Sequence, residues 1–165
     1  MTDIITFRQP DPADGAKVWA LIEAAGSLDV NSVYCYVLLC DYFRDTCVLA
    51  EMEDRLVGFV SAFIDPGQPE TLFVWQIAVD AGVRSQRIGS RMLEALITPL
   101  IGNRIRYIET TISPDNRPSR ALFNRFAAHC RAEIIEKQGY PKDWFPVQLG
   151  HEEERLYRIG PLVCD

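Results

Sequence analysis

The stretch TLFVWQIAV (Thr71–Val79) is the longest unbroken β-forming run in the chain, and VRSQRIGS (residues 83–90) follows it closely. Apolar side chains at both odd and even positions predict a strand covered on both faces, and hence central in its sheet. Beyond the turn, Met92, Leu93, Leu96 and Ile97 recur at helical spacing, and Pro99 marks the end of that helix. A strand that passes through a polar, glycine-containing turn into a helix collects unpaired backbone N–H groups and the positive end of the helix dipole at one point. Such a point is a ready cradle for a pyrophosphate. On this segment alone, a plain strand-to-helix turn with a solvated pair of arginines is an equal reading.

Upstream, residues 4–8 read as a short first strand. Asp11-Pro12-Ala13-Asp14 opens a helix, with acids at its positive end and proline early, and Gly26 is its stop. Residues 27–32 form a loop whose Asn31 or Ser32 caps a second helix running to about Phe43. Residues 46–52 and 56–64 are β-rich and separated by Glu53-Asp54-Arg55, the pattern of a hairpin. Residues 65–69 are a turn-rich loop. Downstream, a strand at 105–112 leads into Ser113-Pro114-Asp115-Asn116-Arg117-Pro118, where Pro118 suits the first turn of a helix with Leu122, Phe123 and Phe126 on its apolar face. Residues 133–138 and 156–159 are the last strands, joined by a proline-rich, aromatic loop around Trp144. The order β-α-α-β-β-β-α-β-α-β-β predicts one α/β domain, residues 1–165, built on a mixed sheet.

A chain of 165 residues fits one domain, and a domain of that size buries roughly 70% of its unfolded surface. Lys and Arg number 17 against 23 Asp and Glu, a net charge of −6, which offers no footprint for a phosphate backbone and sets nucleic-acid binding aside. Hydrophobic residues at 48% and charged residues at 24% exclude a disordered hub. The N-terminal segment lacks the basic and apolar blocks of a secretory signal, and the apolar runs at 33–40 and 56–64 fall short of the ~20 residues of a membrane span. Cys35, Cys40, Cys47, Cys130 and Cys164 form no C-x-x-C pair, and His129 and His151 are the only histidines. That pattern argues against a disulfide framework, a zinc knuckle or a His-rich metal site. The expectation is a soluble protein of a reducing compartment, without a metal.

Taken together, the strand at 71–79, the turn at 84–89 with its helix, the strand at 105–112 and the Asn116 loop before a further helix resemble the GNAT superfamily of N-acetyltransferases. That superfamily carries Q/R-x-x-G-x-G/A after its fourth strand, around the pyrophosphate of acetyl-CoA. Arg84 stands at the Q/R position and Gly89 at the last one. Arg87 stands where the middle glycine is common, an exchange tolerated by a turn with φ < 0 at that residue. Its side chain is then within reach of a phosphate. The resemblance implies a mixed, mostly antiparallel sheet of about six or seven strands flanked by helices. It also implies acetyl-CoA as co-substrate, held by Arg84, Ser85, Gln86, Arg87, Ile88, Gly89 and Ser90, by the backbone of Ile77, Ala78 and Val79, and by Asn116 and Phe123. A tyrosine often stands at the position of Phe123 and protonates the departing thiolate. Phe cannot, so another group or water must.

The segments LDVNSVYCYVLLCDYFRDTCVLAE, TLFVWQIAVD, RYIETTISPDN and HEEERLYRIG resemble more closely the L-2,4-diaminobutyrate N-acetyltransferases of the ectoine pathway, over residues 4–160. This implies acetyl transfer to the γ-amine of L-2,4-diaminobutyrate by a cytoplasmic homodimer. It further implies that Asp29, Trp75 and Glu154 line the acceptor pocket, with Tyr34 and His151 as neighbours.

Acyl transfer from a thioester to an amine needs a neutral nucleophile. An ammonium of pKa ~10.4 is roughly 1 part in 2,500 neutral at pH 7, which adds ~4.6 kcal/mol to the barrier. A carboxylate beside it raises that pKa further, so the tasks are best divided: one acid grips the non-reacting ammonium, and another group, or a water it orients, takes the proton. Asp29 before the second helix, Glu154 at the start of the last strand, and Glu109 on the strand at 105–112 are the candidate acids. Their alternatives are a capping loop acid, a member of the solvated run Glu152-Glu153-Glu154, and a partner for a neighbouring arginine. His151 is a candidate base or a hydrogen-bonded structural histidine. Trp75 walls the acceptor's methylene chain or packs in the core. Tyr34 is the candidate replacement for the absent phenol, or part of an amphipathic helix face. An N–H of the Ile77–Val79 backbone aimed at the developing oxyanion is worth ~3 kcal/mol.

The preferred mechanism is direct attack in a ternary complex. A cysteine nucleophile with ping-pong kinetics is the rival chemistry, disfavoured because Cys35 and Cys40 sit in an apolar helix. The rival functions are acetylation of another small amine or a peptide N-terminus, and acetyl-CoA sensing without catalysis, which Phe123 keeps open.

Overall fold

The computed structural model describes residues 4–102 and 104–163, with the side chains of Arg84 and Ser85 outside that description, as is Cys164. Asp11 and Asp14 form a reciprocal capping box around a short 3₁₀ turn (Pro12–Asp14), and helix α1 (Gly15–Ala25) runs on from it. Gly26 ends α1 in the left-handed conformation at φ 65°, the geometry that glycine adopts without a Cβ penalty. Of the two residues expected to cap the second helix, Ser32 does so, accepting from the Cys35 N–H, and α2 spans Val33–Tyr42. Strands β1 (Ile5–Arg8), β2 (Cys47–Met52), β3 (Arg55–Ile64) and β4 (Thr71–Val79) match the expected runs closely. The β2–β3 hairpin turns on Glu53 and Asp54 alone, both at positive φ, so Arg55 joins the strand rather than the turn. Helix α3 (Ile88–Ile97), strand β5 (Tyr107–Ile112), helix α4 (Arg117–His129) and strands β6 (Ile134–Tyr140) and β7 (Glu154–Ile159) complete the order.

The strands form one mixed seven-stranded sheet in the order β1-β2-β3-β4-β5-β7-β6, with β4 central. The β1–β2, β2–β3, β5–β7 and β7–β6 ladders are antiparallel. By its contacts the chain divides into two compact units, Met1–Phe63 with Val74–Pro99, and Ile64–Phe73 with Leu100–Asp165.

In the first unit, strand alternation sorts residues onto two covered faces. Leu49 and Phe59 are register partners and join Val18, Ile22, Tyr36, Leu39 and Ala78 in a core beneath α1 and α2. Their neighbours Ala50 and Gly58, also partners, face the opposite way, where a Cβ on Gly58 would lie 2.8 Å from the Met92 sulfur of α3. The missing side chain lets α3 approach. In the second unit, α4 buries Phe123, Phe126 and Ala127, spaced as one helical stripe, and Ile108, Ile112, Tyr157 and Ile159 are buried on β5 and β7.

Candidate active site

The turn after β4 is built by its backbone. Asp80 accepts from the Gly82 N–H at 2.8 Å and so starts a 3₁₀ segment, Ala81–Gln86. Arg87 then adopts φ 56°, ψ 28°, and α3 begins at Ile88 with no side chain capping its first turn. A right-handed segment followed by one left-handed residue aims successive N–H groups into a common hollow, the geometry of an anion nest. The α3 dipole adds positive potential there. These donors suit a diphosphate such as that of coenzyme A.

Arg87 corrects the sequence reading, which required φ < 0. The 3₁₀ segment must stop and α3 must start in a new direction within one residue, and only the left-handed conformation does that. A non-glycine residue pays roughly 1–2 kcal/mol for it. Its side chain is exposed, whereas Ile88 is buried, so Ile88 offers the nest only its backbone; Gln86, Gly89 and Ser90 are half-buried. On β4, Ala78 is buried, and Ile77 and Val79 are half-buried.

The loop of Asp29, a candidate acceptor residue, lies in the same unit. Asp29 is exposed, and its carbonyl accepts from Gln76 Nε2 at 2.9 Å. The Gln76 Oε1 in turn accepts from the Tyr36 hydroxyl at 3.2 Å, and that hydroxyl accepts from the Asn31 N–H at 3.2 Å. The Gln76 N–H donates to Ser61 Oγ. Trp75 points to the other face of β4 from Gln76 by strand alternation, and at 41% exposure it is not a core residue. Tyr34, at 69% exposure, presents its ring to solvent from the first turn of α2, while Tyr36 two residues on is fully buried.

In the second unit, Glu109 is buried on β5 and joins Arg158 at 2.6 Å. The same guanidinium reaches Gln68 and Thr71 and lies 4.0 Å over the Tyr107 ring. The arginine-partner alternative for Glu109 therefore describes its surroundings. His151 stacks on Phe145 at 4.0 Å, and its Nδ1 lies 2.6 Å from the Glu152 carbonyl. A carbonyl only accepts, so Nδ1 carries a proton in this contact. The His151 Nε2 lies 3.8 Å from Glu154 Oε1, so the structure brings these two together. Glu154 also lines a cavity of about 320 Å³ in the β6–β7 hairpin, with Gly139, Tyr140 and Arg155. The β6 backbone bulges between Lys137 and Tyr140, and at Gly139 it passes so close to β7 that a Cβ would strike the Glu154 carbonyl. Asn116 caps α4 by accepting from the Ser119 N–H, and Phe123 is 2% exposed in the stripe of that helix.

Cys35, Cys40 and Cys47 lack the setting of a nucleophile. Burial pushes the Cys40 and Cys47 thiols up to about 12 and raises that of Cys35, so all three stay protonated at neutral pH.

Tyr36, Gln76 and Gly139 were not singled out from sequence. Gln76 carried a signal: it is an amide in the middle of the apolar run TLFVWQIAV, and a polar residue in a buried strand needs a partner. Tyr36 and Gly139 depend on contacts between distant segments and carried none.

A nest after the central strand, on this strand order, suits the diphosphate of an acyl-CoA in a transferase. Residues 17–128 match the acetyltransferase (GNAT) family model, and the chain belongs to that family. At the level of particular proteins, it is 42% identical over 161 residues to the L-2,4-diaminobutyric acid acetyltransferase of Marinococcus halophilus, covering 98% of this chain and 92% of that one. It superposes with a TM-score of 0.94, at 47% identity and over 99% of this chain and 98% of the other, on the diaminobutyrate acetyltransferase from Paenibacillus lautus in complex with its substrate L-2,4-diaminobutyric acid and coenzyme A. Ard1 from Thermoplasma volcanium, 14% identical with a TM-score of 0.74 over 98% of this chain and 99% of that one, shares the fold.

Proposed function

We propose that this chain transfers acetyl from acetyl-CoA to the γ-amine of L-2,4-diaminobutyrate, giving N4-acetyl-L-2,4-diaminobutyrate, as a single-domain, cytoplasmic homodimer serving ectoine synthesis. The observation that carries the reading is the 0.94 superposition, at 47% identity, on an enzyme solved with both diaminobutyrate and coenzyme A. Acetyl-CoA supplies the activated acyl group. The backbone nest at residues 86–90, with Arg84 and Ser85, takes its diphosphate. N–H groups along Ile77, Ala78 and Val79 face the thioester oxygen, and Asn116 and Phe123 complete the cofactor's wall.

Asp29, Trp75, Glu109 and Glu154 shape the acceptor site. Trp75, exposed rather than packed in the core, walls the methylene chain. Asp29 and Glu154 grip the cationic acceptor, and Glu109 acts from beneath through its arginine partner. His151 is the proton acceptor, held by its Nδ1–H bond to the Glu152 carbonyl with Nε2 beside Glu154. Tyr34, with its exposed hydroxyl, returns a proton to the thiolate, the role Phe123 cannot fill.

The test is coenzyme A release with L-2,4-diaminobutyrate compared against ornithine, lysine, spermidine and a short peptide. A clear preference for diaminobutyrate, with the acetyl group on its γ-nitrogen by NMR, is expected. Turnover only with another amine removes the diaminobutyrate assignment, and coenzyme A binding without any turnover replaces it with a sensor. In the same assay, Asp29→Asn and Glu154→Gln raise the diaminobutyrate KM or lower kcat with acetyl-CoA affinity unchanged.

A further inference from the structure

Gln76 is 5% exposed and Tyr36 fully buried, yet every polar atom of the two side chains is engaged. What they engage is not the packed core but the backbone of the loop at residues 29–31. Gln76 Nε2 donates to the Asp29 carbonyl, and the Tyr36 hydroxyl accepts from the Asn31 N–H. The hydroxyl passes its own proton to Gln76 Oε1, which closes the chain of bonds. The Gln76 N–H is also tied, to Ser61 Oγ at 3.3 Å on β3. One residue of β4 is therefore fixed at its main chain and its side chain together, between Trp75 and Ile77.

Stability alone does not call for this arrangement. Two apolar side chains of similar size would fill the same volume without desolvating an amide and a phenol. A buried, fully satisfied polar chain instead fixes direction and register, because each bond has one length and one angle. Here it fixes the loop that carries Asp29 to the strand that carries Trp75 and the Ile77–Val79 backbone.

We propose that Gln76 and Tyr36 are positioning residues for the amine acceptor: they hold the Asp29 loop at the distance from β4 that the acceptor's length requires. This rests on the diaminobutyrate reading of the site. Neither side chain touches substrate, so the effect reaches the acceptor through Asp29 and leaves the phosphate nest alone.

The experiment uses the whole enzyme with Tyr36→Phe and Gln76→Met, each of which keeps volume and removes the bonds. Initial rates are measured against diaminobutyrate and acetyl-CoA separately, together with Tm and hydrogen exchange at the Asn31 amide. The loss of one buried hydrogen bond to the loop corresponds to about a fivefold to tenfold rise in diaminobutyrate KM. The acetyl-CoA KM stays within about twofold, the Asn31 amide exchanges faster, and the double variant is no worse than the poorer single one because the bonds form one chain. A lowered Tm with an unchanged diaminobutyrate KM assigns the pair to stability alone and overturns the positioning role. So does an equal rise in both KM values. If Tyr36→Phe does not fold, Gln76→Met carries the same comparison. A wild-type enzyme that acetylates no diaminobutyrate overturns the underlying reading instead, a result visible before any variant is made.

Discussion

The two units are held by different chemistry. Around Gln76 the bonds are neutral: amide to carbonyl, phenol to amide, peptide N–H to the Ser61 hydroxyl. Around β7 they are ionic. Arg158 meets Glu109, Arg155 bridges Glu136 and Glu153, and the Tyr157 hydroxyl donates to Glu136. Neutral buried bonds set distances that neither salt nor pH alters, which suits a loop that must match the length of an acceptor. A charged frame sets a potential, which suits a strand proposed to offer Glu154 to a cation. Shape is fixed in one unit and field in the other, and each kind of bond fails in its own way.

The largest break in the comparison comes at Arg158. Its side chain is 17% exposed and that of Glu109 11%, so neither charge is well solvated without the other. Removing one partner of a pair this deep costs about 3 kcal/mol, the lower end for buried pairs. Arg158→Met is expected to lose that much in urea unfolding, and Arg158→Met with Glu109→Gln to regain most of it, since no orphan charge remains. Equal losses in the single and double variants would show that Arg158 works by its contact with the Tyr107 ring instead.

Next come two glycines, one in each unit. A Cβ on Gly15 would lie 2.8 Å from the Val37 nitrogen and 2.9 Å from its Cα, where α1 and α2 run backbone to backbone. A Cβ on Gly139 would meet the Glu154 carbonyl across the β6 bulge. Backbone cannot swing aside as a side-chain tip can, so each alanine costs roughly 1–3 kcal/mol by overpacking. The difference lies in function. Gly139→Ala moves the Glu154 main chain and is expected to raise the diaminobutyrate KM, whereas Gly15→Ala lowers Tm with less change in KM. Matching kinetic effects would mean that the bulge does not position Glu154.

The sequence made the element order legible throughout, because each strand and helix carried its own period, cap or turn residue. Gly26, Ser32 and Asn116 do what their residue types suggest. The turn at residues 84–90 was legible as a strand-to-helix turn from its local pattern, and even there Arg87 misled. A left-handed residue leaves no mark except the glycine that relatives use, and that glycine was the clue to its φ. The pairing of His151 with Glu154 lies within one turn of chain and was foreseeable as neighbours. The Tyr36–Gln76 bond joins residues 40 apart, and no period or motif reports such a contact. The same holds for the close pass of Gly139 and Glu154, which depends on a register shift between strands.

The smallest effects concern pH, and here the contrast sharpens at its exceptions, the exposed Arg55–Asp80 pair being one. The first unit does contain an ionic cluster, at Arg8, Asp14 and Glu51, away from the Gln76 chain. The Arg8 guanidinium, opposed by burial and helped by the Asp11 N–H, holds the Asp14 carboxyl below its ordinary value. A depressed folded-state pKa gives stability that is present above the unfolded value, about 4, and is lost as pH falls through the folded one. In the second unit, burial and then the Glu136 carboxylate push the Tyr157 phenol up. A raised pKa gives stability that is present below the unfolded value, about 10, and is lost as pH rises through the folded one. Asp14 and Tyr157 therefore contribute at opposite ends of the stability curve, and the buried Cys40 and Cys47 thiols of the first unit add to the alkaline end. Asp14→Asn is expected to flatten the acid limb in urea unfolding and leave the alkaline limb unchanged. Tyr157→Phe does the reverse, and neither alters the slope between pH 5 and 9 by a measurable amount. Were Asp14→Asn to flatten the alkaline limb as well, the two networks would be coupled, and the separation of a shape-fixing unit from a field-fixing one would not hold.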